Sequence, residues 1–445
     1  MENSQSTHTA SKPNPWAWIP TLYFAEGLPN AIVTLVAVLM YKRLGMSNAE
    51  IAFYTSWLYL PWVIKAVWSP FVDILKTKRW WTVSMQLLIG AALGGVAFTI
   101  PGNYWIQGSM FCFWIMAFSS ATHDIAADGF YMLGLNSHQQ SFFSGIRNTF
   151  YRLSMMFGQG VLVMIAGNLE TMTRNIRYSW SLTFYLAAGI MIFLGLFHGF
   201  ILPRPKGDHA AGGNENKNDT LRYDNDNPQP ITHNLLKDFA ESFISFFRKD
   251  GIWVALLFIF FYRAPEGMLT KIVPLFLNDP LHKGGLGLSP QDIGLVSGTV
   301  GLIGLTIGGI IGGIVASKYG LKKVLWPMVC AITLPDLVYV YLSTTQPESL
   351  LPINICVFIE QFGYGVGFTA YMLYLIYFCQ GEHQTSHYAI CTGFMAASLM
   401  LPGMIAGWLQ ETLGYTWFFI IVTLLCAITF IVSALVKINP DFGKK

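Results

Sequence analysis

Of the chain's 445 residues, 53% are apolar and only 11% charged, with a mean hydropathy of +0.47 and 33 Phe. Soluble domains carry roughly 25% charged residues, so this composition excludes a water-soluble globular protein and points to a polytopic membrane protein embedded in a lipid bilayer. A net charge of +3 is too small to imply a nucleic-acid partner; the positions of Lys and Arg are what inform. The six cysteines (Cys112, Cys330, Cys356, Cys379, Cys391, Cys426) lie in or beside apolar segments without paired spacing, so neither a disulfide framework nor a metal site is expected, and no cofactor motif appears.

In chain order, the first 15 residues are polar, with one Lys and no separate apolar stretch, so no cleavable signal is expected. Apolar segments then recur near 16–41, 50–72, 82–100, 109–135, 143–167, 180–202, 252–277, 291–316, 324–343, 351–378, 386–410 and 415–437, which makes twelve spans. Between the sixth and seventh, Gly212-Gly213-Asn214-Glu215-Asn216 and Asp224-Asn225-Asp226-Asn227-Pro228 cannot bury a core. The organisation is therefore a tail (1–15), a six-helix bundle (16–202), a linker (203–250), a second six-helix bundle (251–438) and a short tail (439–445). Within the linker, 235–247 alternates apolar and charged residues at helical spacing, as an amphipathic helix on a membrane surface would. If the N-terminus is cytoplasmic, eighteen of the 27 Lys and Arg fall in inner loops and tails, five fall in outer loops, and Lys65, Arg152, Arg263 and Lys271 lie within spans. That excess places both termini in the cytoplasm.

The fourth span carries His123-Asp124-Ile125-Ala126-Ala127-Asp128. Each Asp at a helix centre costs roughly 2.5 to 3.5 kcal/mol on insertion scales, so two of them mark either a transport path or a structural latch. Asp124 and Asp128 are one turn apart and share a face with Ser120 and Tyr131. His123 points about 100° away and reads as a packed histidine. The halves also repeat. Tyr23-Phe24-Ala25-Glu26-Gly27 corresponds to Tyr262-Arg263-Ala264-Pro265-Glu266-Gly267, and Tyr131-Met132-Leu133 to Tyr371-Met372-Leu373, at one offset of about 240 residues. The loop 73–79, with Asp73 and Arg79, matches 317–323 at a similar offset. Parallel six-helix halves are the pattern of the major facilitator architecture.

Several stretches resemble the AmpG-type muropeptide permeases and the related acetyl-coenzyme A transporters of the major facilitator superfamily. They are Phe24-Ala25-Glu26-Gly27-Leu28-Pro29, Leu60-Pro61-Trp62-Val63-Ile64-Lys65-Ala66-Val67-Trp68-Ser69-Pro70-Phe71-Val72-Asp73 and Asp124-Ile125-Ala126-Ala127-Asp128-Gly129. The C-terminal half departs more, with Ser317 and Lys318 where the superfamily's loop motif has Asp and Arg. The resemblance implies a twelve-helix secondary transporter whose cavity is lined by spans 1, 4, 7 and 10. It implies proton-coupled import of a cell-wall sugar-peptide across the bacterial inner membrane, with an acyl-nucleotide carrier as the alternative. A membrane-embedded enzyme or sensor is the alternative of another class, but no nucleophile with its base stands at a recognisable spacing.

Charged residues within the spans are the candidate pathway: Glu26, Lys65, Asp124, Asp128, Arg152, Arg263, Glu266 and Glu360. Asp73, Arg79, Asp128 and Arg147 are the candidate gate. Counting from loop centres places Glu26 at the depth of Lys65, Asp128 at that of Arg147, and Asp124 at that of Arg152, which predicts three ion pairs. Arg263 and Glu266 share a face suited to an anionic or zwitterionic ligand, with Lys271 nearer the outer end. Asp336 and Glu360 fall at similar depth; Glu360 is preferred as proton carrier because span 9 packs outside the cavity in the resembling fold. The partners expected are a small-molecule substrate, protons and lipid, with the chain acting as a monomer.

Overall fold

The computed structural model describes residues 14–135, 137–205, 208, 235–381, 384–440 and 442, which leaves most of the expected linker outside the described residues. The helices group into twelve rods: α1 (Pro15–Arg43), α2 (Asn48–Trp57 and Leu60–Leu75), α3 (Lys78–Thr99), α4 (Trp105–Gly134), α5 (Ser137–Met156 continuing to Thr173) and α6 (Ile176–Ile201). The second set is α7 (Ile252–Asn278), α8 (Pro290–Tyr319), α9 (Leu321–Thr345), α10 (Leu350–Cys379) and, within Gln384–Leu435, α11 and α12 on either side of Gly414, whose φ of 77° breaks the helix. Nine stretches among the described residues are apolar and long enough to cross a membrane; the last of them, Ser386–Leu435, holds two rods. The chain is thus a multi-pass helical membrane protein. α2 and α4 fall outside that set because one is split near Tyr59 and the other carries the polar stripe around Asp124.

Prolines explain where the rods break. α7 interrupts at Arg263 (φ −112°, ψ 1°), just before Pro265, and α9 tightens into a 3-10 turn at Leu334–Asp336 around Pro335. Each break frees backbone groups inside the bundle beside an ionisable side chain. In α1 the turn after Pro29 widens to a π-turn over Ile32–Val36, and matching π-turns occur in α5 (Phe157–Leu162) and α8 (Val296–Gly301). The expected amphipathic helix is present at Leu235–Phe247, with Phe246 buried beneath it against Phe378 and His387.

The two sets of six rods meet along glycine-lined seams at the end of the bundle opposite Pro15 and Leu435, here termed the far end. Lipid supplies no hydrophobic drive between helices, so close backbone approach through small residues holds such seams together. Gly298 of α8 lies directly on the backbone of Gln159 and Gly160 of α5, and Gly407 of α11 lies on the backbone of Asn48 in α2. Gly313 of α8, by contrast, faces open space. Adding an isopropyl group at Gly298 therefore forces α5 and α8 apart, at about 1–3 kcal/mol for an overpacked contact. Gly298→Val is expected to increase labelling of cysteines placed in this seam by a membrane-impermeant reagent added at the far end. Gly313→Val should leave that labelling unchanged.

Candidate functional site

In the N-terminal half, α4 presents its two carboxylates to different partners. Asp128 pairs with Arg147 of α5 (3.0 Å), and the Arg147 guanidinium lies over the rings of Tyr23 (4.6 Å) and Tyr131 (5.1 Å). The Tyr23 hydroxyl donates to Asp128 (3.4 Å). Asp124 accepts a hydrogen bond from Trp62 Nε1 (2.9 Å), and Lys65 Nζ lies 4.0 Å from the same oxygen. Glu26 and His123 close this cluster, with ligand-capable atoms of Glu26, His123 and Asp124 all within 4.8 Å of one another.

Two of the three expected ion pairs do not form. Lys65 pairs with Asp124 rather than Glu26, whose Oε2 is buried without a hydrogen-bond partner. Arg152 does not reach Asp124; its guanidinium packs against Gly309 of α8, across the interface between halves, and its Nη1 is buried and unpartnered. Depth was right but azimuth was not. Arg147 and Arg152 are five residues apart, a rotation of about 140° round the helix, so both cannot face α4, whereas Asp124 and Asp128 can share a face. Arg79, expected at the gate, lies against the end of α6. Its guanidinium donates to the carbonyls of Leu202 (3.2 Å) and Gly199, capping the end of α6 in its own half. The side chain of Asp73 lies outside the described residues.

The C-terminal half repeats the aromatic part of this arrangement. Tyr23 and Tyr131 meet edge to face at 5.9 Å, and their counterparts Tyr262 and Tyr371 stack at 5.4 Å. Arg263 lies over Phe368 (4.7 Å), Tyr371 (5.6 Å) and Tyr364 (5.7 Å) and donates to the Tyr364 hydroxyl, which supplies cation–π contact on three sides. Glu266 and Glu360 come together with Asp336 of α9, within 4.8 Å of one another. Lys271, one turn beyond Glu266, is 1% exposed, lies 4.8 Å from the Tyr59 ring centre, and its Nζ has no hydrogen-bond partner.

Sequence reasoning missed two networks. A buried chain links Thr21, His198, Gln86 and His123 through contacts of 2.9, 2.8 and 2.9 Å, tying α1, α3, α4 and α6 together. At the far end, Lys42 pairs with Asp279 (2.7 Å) and donates to Asn48 (2.6 Å), Asn48 donates to Asp279 (3.1 Å) and Gln410 (2.6 Å), and Tyr415 donates to Asp279. The backbone N–H of Ala49 donates to Glu411 (2.9 Å). This lock bolts α1 and α2 to α7, α11 and α12. The only advance signal was a lone acid, Asp279, in the loop after the seventh apolar segment.

Twelve rods in two halves, internal charges at their junction and a repeat at one offset define a membrane transporter, not an enzyme. The sequence model of the Major Facilitator Superfamily matches residues 19–375 and 266–445, and the chain belongs to that superfamily. It is 24% identical over 408 residues to the anhydromuropeptide permease of Escherichia coli (strain K12), covering 90% of this chain and 75% of that protein. It is also 24% identical over 414 residues to the putative transporter AmpG 4 of Rickettsia conorii, covering 91% and 92%. Among solved structures, the nucleoside transporter NupG superposes with a TM-score of 0.69 at 13% identity over 95% of this chain and 98% of that chain. A D-xylose–proton symporter superposes with a TM-score of 0.66 at 11% identity over 96% and 98%.

The far-end lock carries a pH dependence of known sign. Burial alone would raise the Asp279 pKa, but hydrogen bonds from Lys42, Tyr415 and Asn48 and the Lys42 charge together hold it below the ordinary aspartate value. Its contribution to closure is therefore fully present above the ordinary aspartate range and is lost only as pH falls through the depressed value. Distances between spin labels on the far ends of α1 and α7 should stay short from neutral to mildly acidic pH. Asp279→Asn, which removes the ion pair with Lys42, should lengthen them at every pH.

Proposed function

We propose that the chain is a proton-coupled importer of anhydromuropeptides across the bacterial inner membrane, with both termini cytoplasmic and the far end facing the periplasm. The observation that carries this reading is the set of cations inside the bundle that each keep one buried nitrogen without a hydrogen-bond partner where the halves meet: Arg152 Nη1, Arg263 Nε and Lys271 Nζ. Burying a charged donor without a hydrogen-bond acceptor is costly, so a bundle that keeps three such donors suits an anionic ligand. A sugar-peptide brings carboxylates for the cations and a sugar face for the aromatic wall of Tyr59, Tyr364, Phe368 and Tyr371. The relative from Escherichia coli supports the same substrate class.

In this reading Asp128 and Arg147 latch α4 to α5 near the cytoplasmic mouth, while Glu26, Lys65, Asp124, Glu266 and Glu360 form the proton path. Asp279 and Lys42 hold the periplasmic side shut in the state seen here. The bundles 16–202 and 251–438 move as the two units, joined by the 203–250 linker, and the protein works as a monomer.

Vesicles containing the protein should accumulate labelled anhydromuropeptide in preference to acetyl-coenzyme A, and an uncoupler should abolish the accumulation. Lys271→Met removes a charge-assisted contact of about 1.5–3 kcal/mol and should weaken apparent affinity roughly 10- to 100-fold. Preference for acetyl-coenzyme A would replace the substrate assignment, and accumulation that follows a sodium gradient would overturn the proton assignment.

A further inference from the structure

Three carboxyl groups meet inside the C-terminal half with no counter-ion in contact. Glu266 of α7, Asp336 of α9 and Glu360 of α10 are 9%, 4% and 2% exposed, and their oxygens lie within 4.8 Å of one another. Among the described residues none of the three forms a salt bridge. The nearest cation, Arg263, is held by its aromatic ring set rather than by a carboxylate. Buried like charges at this spacing do not all ionise.

Each element packed on the cluster adds something. α9 supplies Tyr339, which donates to Glu360 Oε2 (2.8 Å); α10 supplies Gln361, which donates to the same oxygen (3.0 Å), and Tyr364. α7 supplies Arg263, Tyr262 and Thr270, the last donating to Glu266 (3.4 Å), and α12 supplies Cys426, whose Sγ lies 3.3 Å from Asp336 Oδ2. The other oxygen, Asp336 Oδ1, is buried with no hydrogen-bond partner. Asp336, Glu266, Cys426 and Thr429 line a void of about 10 Å³, the space of one water-sized species.

We propose that Glu266, Asp336 and Glu360 form a proton-binding site beside Arg263, in which two protons are shared among three carboxyl groups while the third stays ionised. A bare metal cation fits less well, since hard cations gather six or more oxygen ligands, whereas besides Glu266 and Asp336 this void is lined by Pro265, Ile332, the Cys426 thiol and hydroxyls of Tyr262, Thr333 and Thr429 that donate to backbone carbonyls. The N-terminal cluster of Glu26, His123 and Asp124 differs in having Lys65 against Asp124. The C-terminal cluster thus holds three acids with no basic side chain in contact, and α9 contributes Asp336 to the site.

This inference deepens the proton-coupled reading and rests on it, but its test needs no substrate. Infrared difference spectra of the full-length protein in lipid, recorded across a pH titration, should contain a carbonyl band from protonated buried carboxyl groups. Asp336→Asn leaves two carboxyls able to share one proton, so the band should fall to roughly half. Glu26→Gln should leave the pair-sharing component intact. Tyr339→Phe keeps all three carboxyls but removes a donor to Glu360, so it should move the band rather than shrink it, which covers the case in which Asp336→Asn does not fold. A band unchanged in both the Asp336 and Tyr339 variants overturns the proposal, as does a band that disappears at constant pH when sodium or lithium is added. If the band behaves as expected while uptake ignores the proton gradient, the site stands and the coupling reading fails; the reverse result removes the site and keeps the coupling.

Discussion

A charge carried into the bilayer must be paired, neutralised or put to use, and the interior of this protein is arranged by that constraint. Asp128 is paired with Arg147 and screened by two tyrosine rings, and Asp124 has a tryptophan donor and a distant lysine. Such pairs recover part of the desolvation cost and hold neighbouring helices in one register. The C-terminal half leaves its charges open. Arg263 rests on aromatic faces, Lys271 has no partner, and three acids crowd one another. The N-terminal half pairs Asp124 and Asp128 but leaves atoms of Glu26 and Arg152 unpartnered, so the contrast at equivalent positions of a repeated fold is one of degree, with three crowded acids in the C-terminal half.

The two closures act on different scales. Glycine seams let α5 approach α8 and α2 approach α11, which positions the halves through packing that any small displacement would forfeit. The Lys42–Asp279 lock adds direction to that packing, because its charges and the Asn48, Gln410 and Tyr415 side chains come from five different rods and meet at the far end. Releasing one end of a bundle while closing the other requires contacts that are individually modest and jointly specific.

Much of this was legible in the sequence. Apolar segments of bilayer length located the rods, and the 240-residue repeat matched Tyr23 to Tyr262 and Tyr131 to Tyr371, pairs that the fold brings into equivalent contact. Loop-centred counting found the Asp128–Arg147 partnership, because those two side chains share a depth and also face each other. The same counting failed for Glu26 with Lys65 and for Asp124 with Arg152, since depth says nothing about which way a side chain faces. Partners separated by 231 or 362 residues, as in the far-end lock, leave no trace in local periodicity. Asp336 was underweighted because span 9 lies outside the cavity in the resembling fold, whereas Pro335 turns that rod so that its acid faces α7 and α10.

The central claim is that substrate anions and protons answer one another across the C-terminal half, the substrate supplying negative charge near Arg263 and Lys271 while the acid cluster takes up positive charge. The most direct measurement is the number of protons exchanged with weakly buffered solution when anhydromuropeptide is added to the purified, lipid-embedded protein. Net proton uptake on binding, diminished when Glu360 is replaced by Gln, is the predicted result. Saturable substrate binding with no proton exchange at any pH between mildly acidic and mildly alkaline would contradict the account.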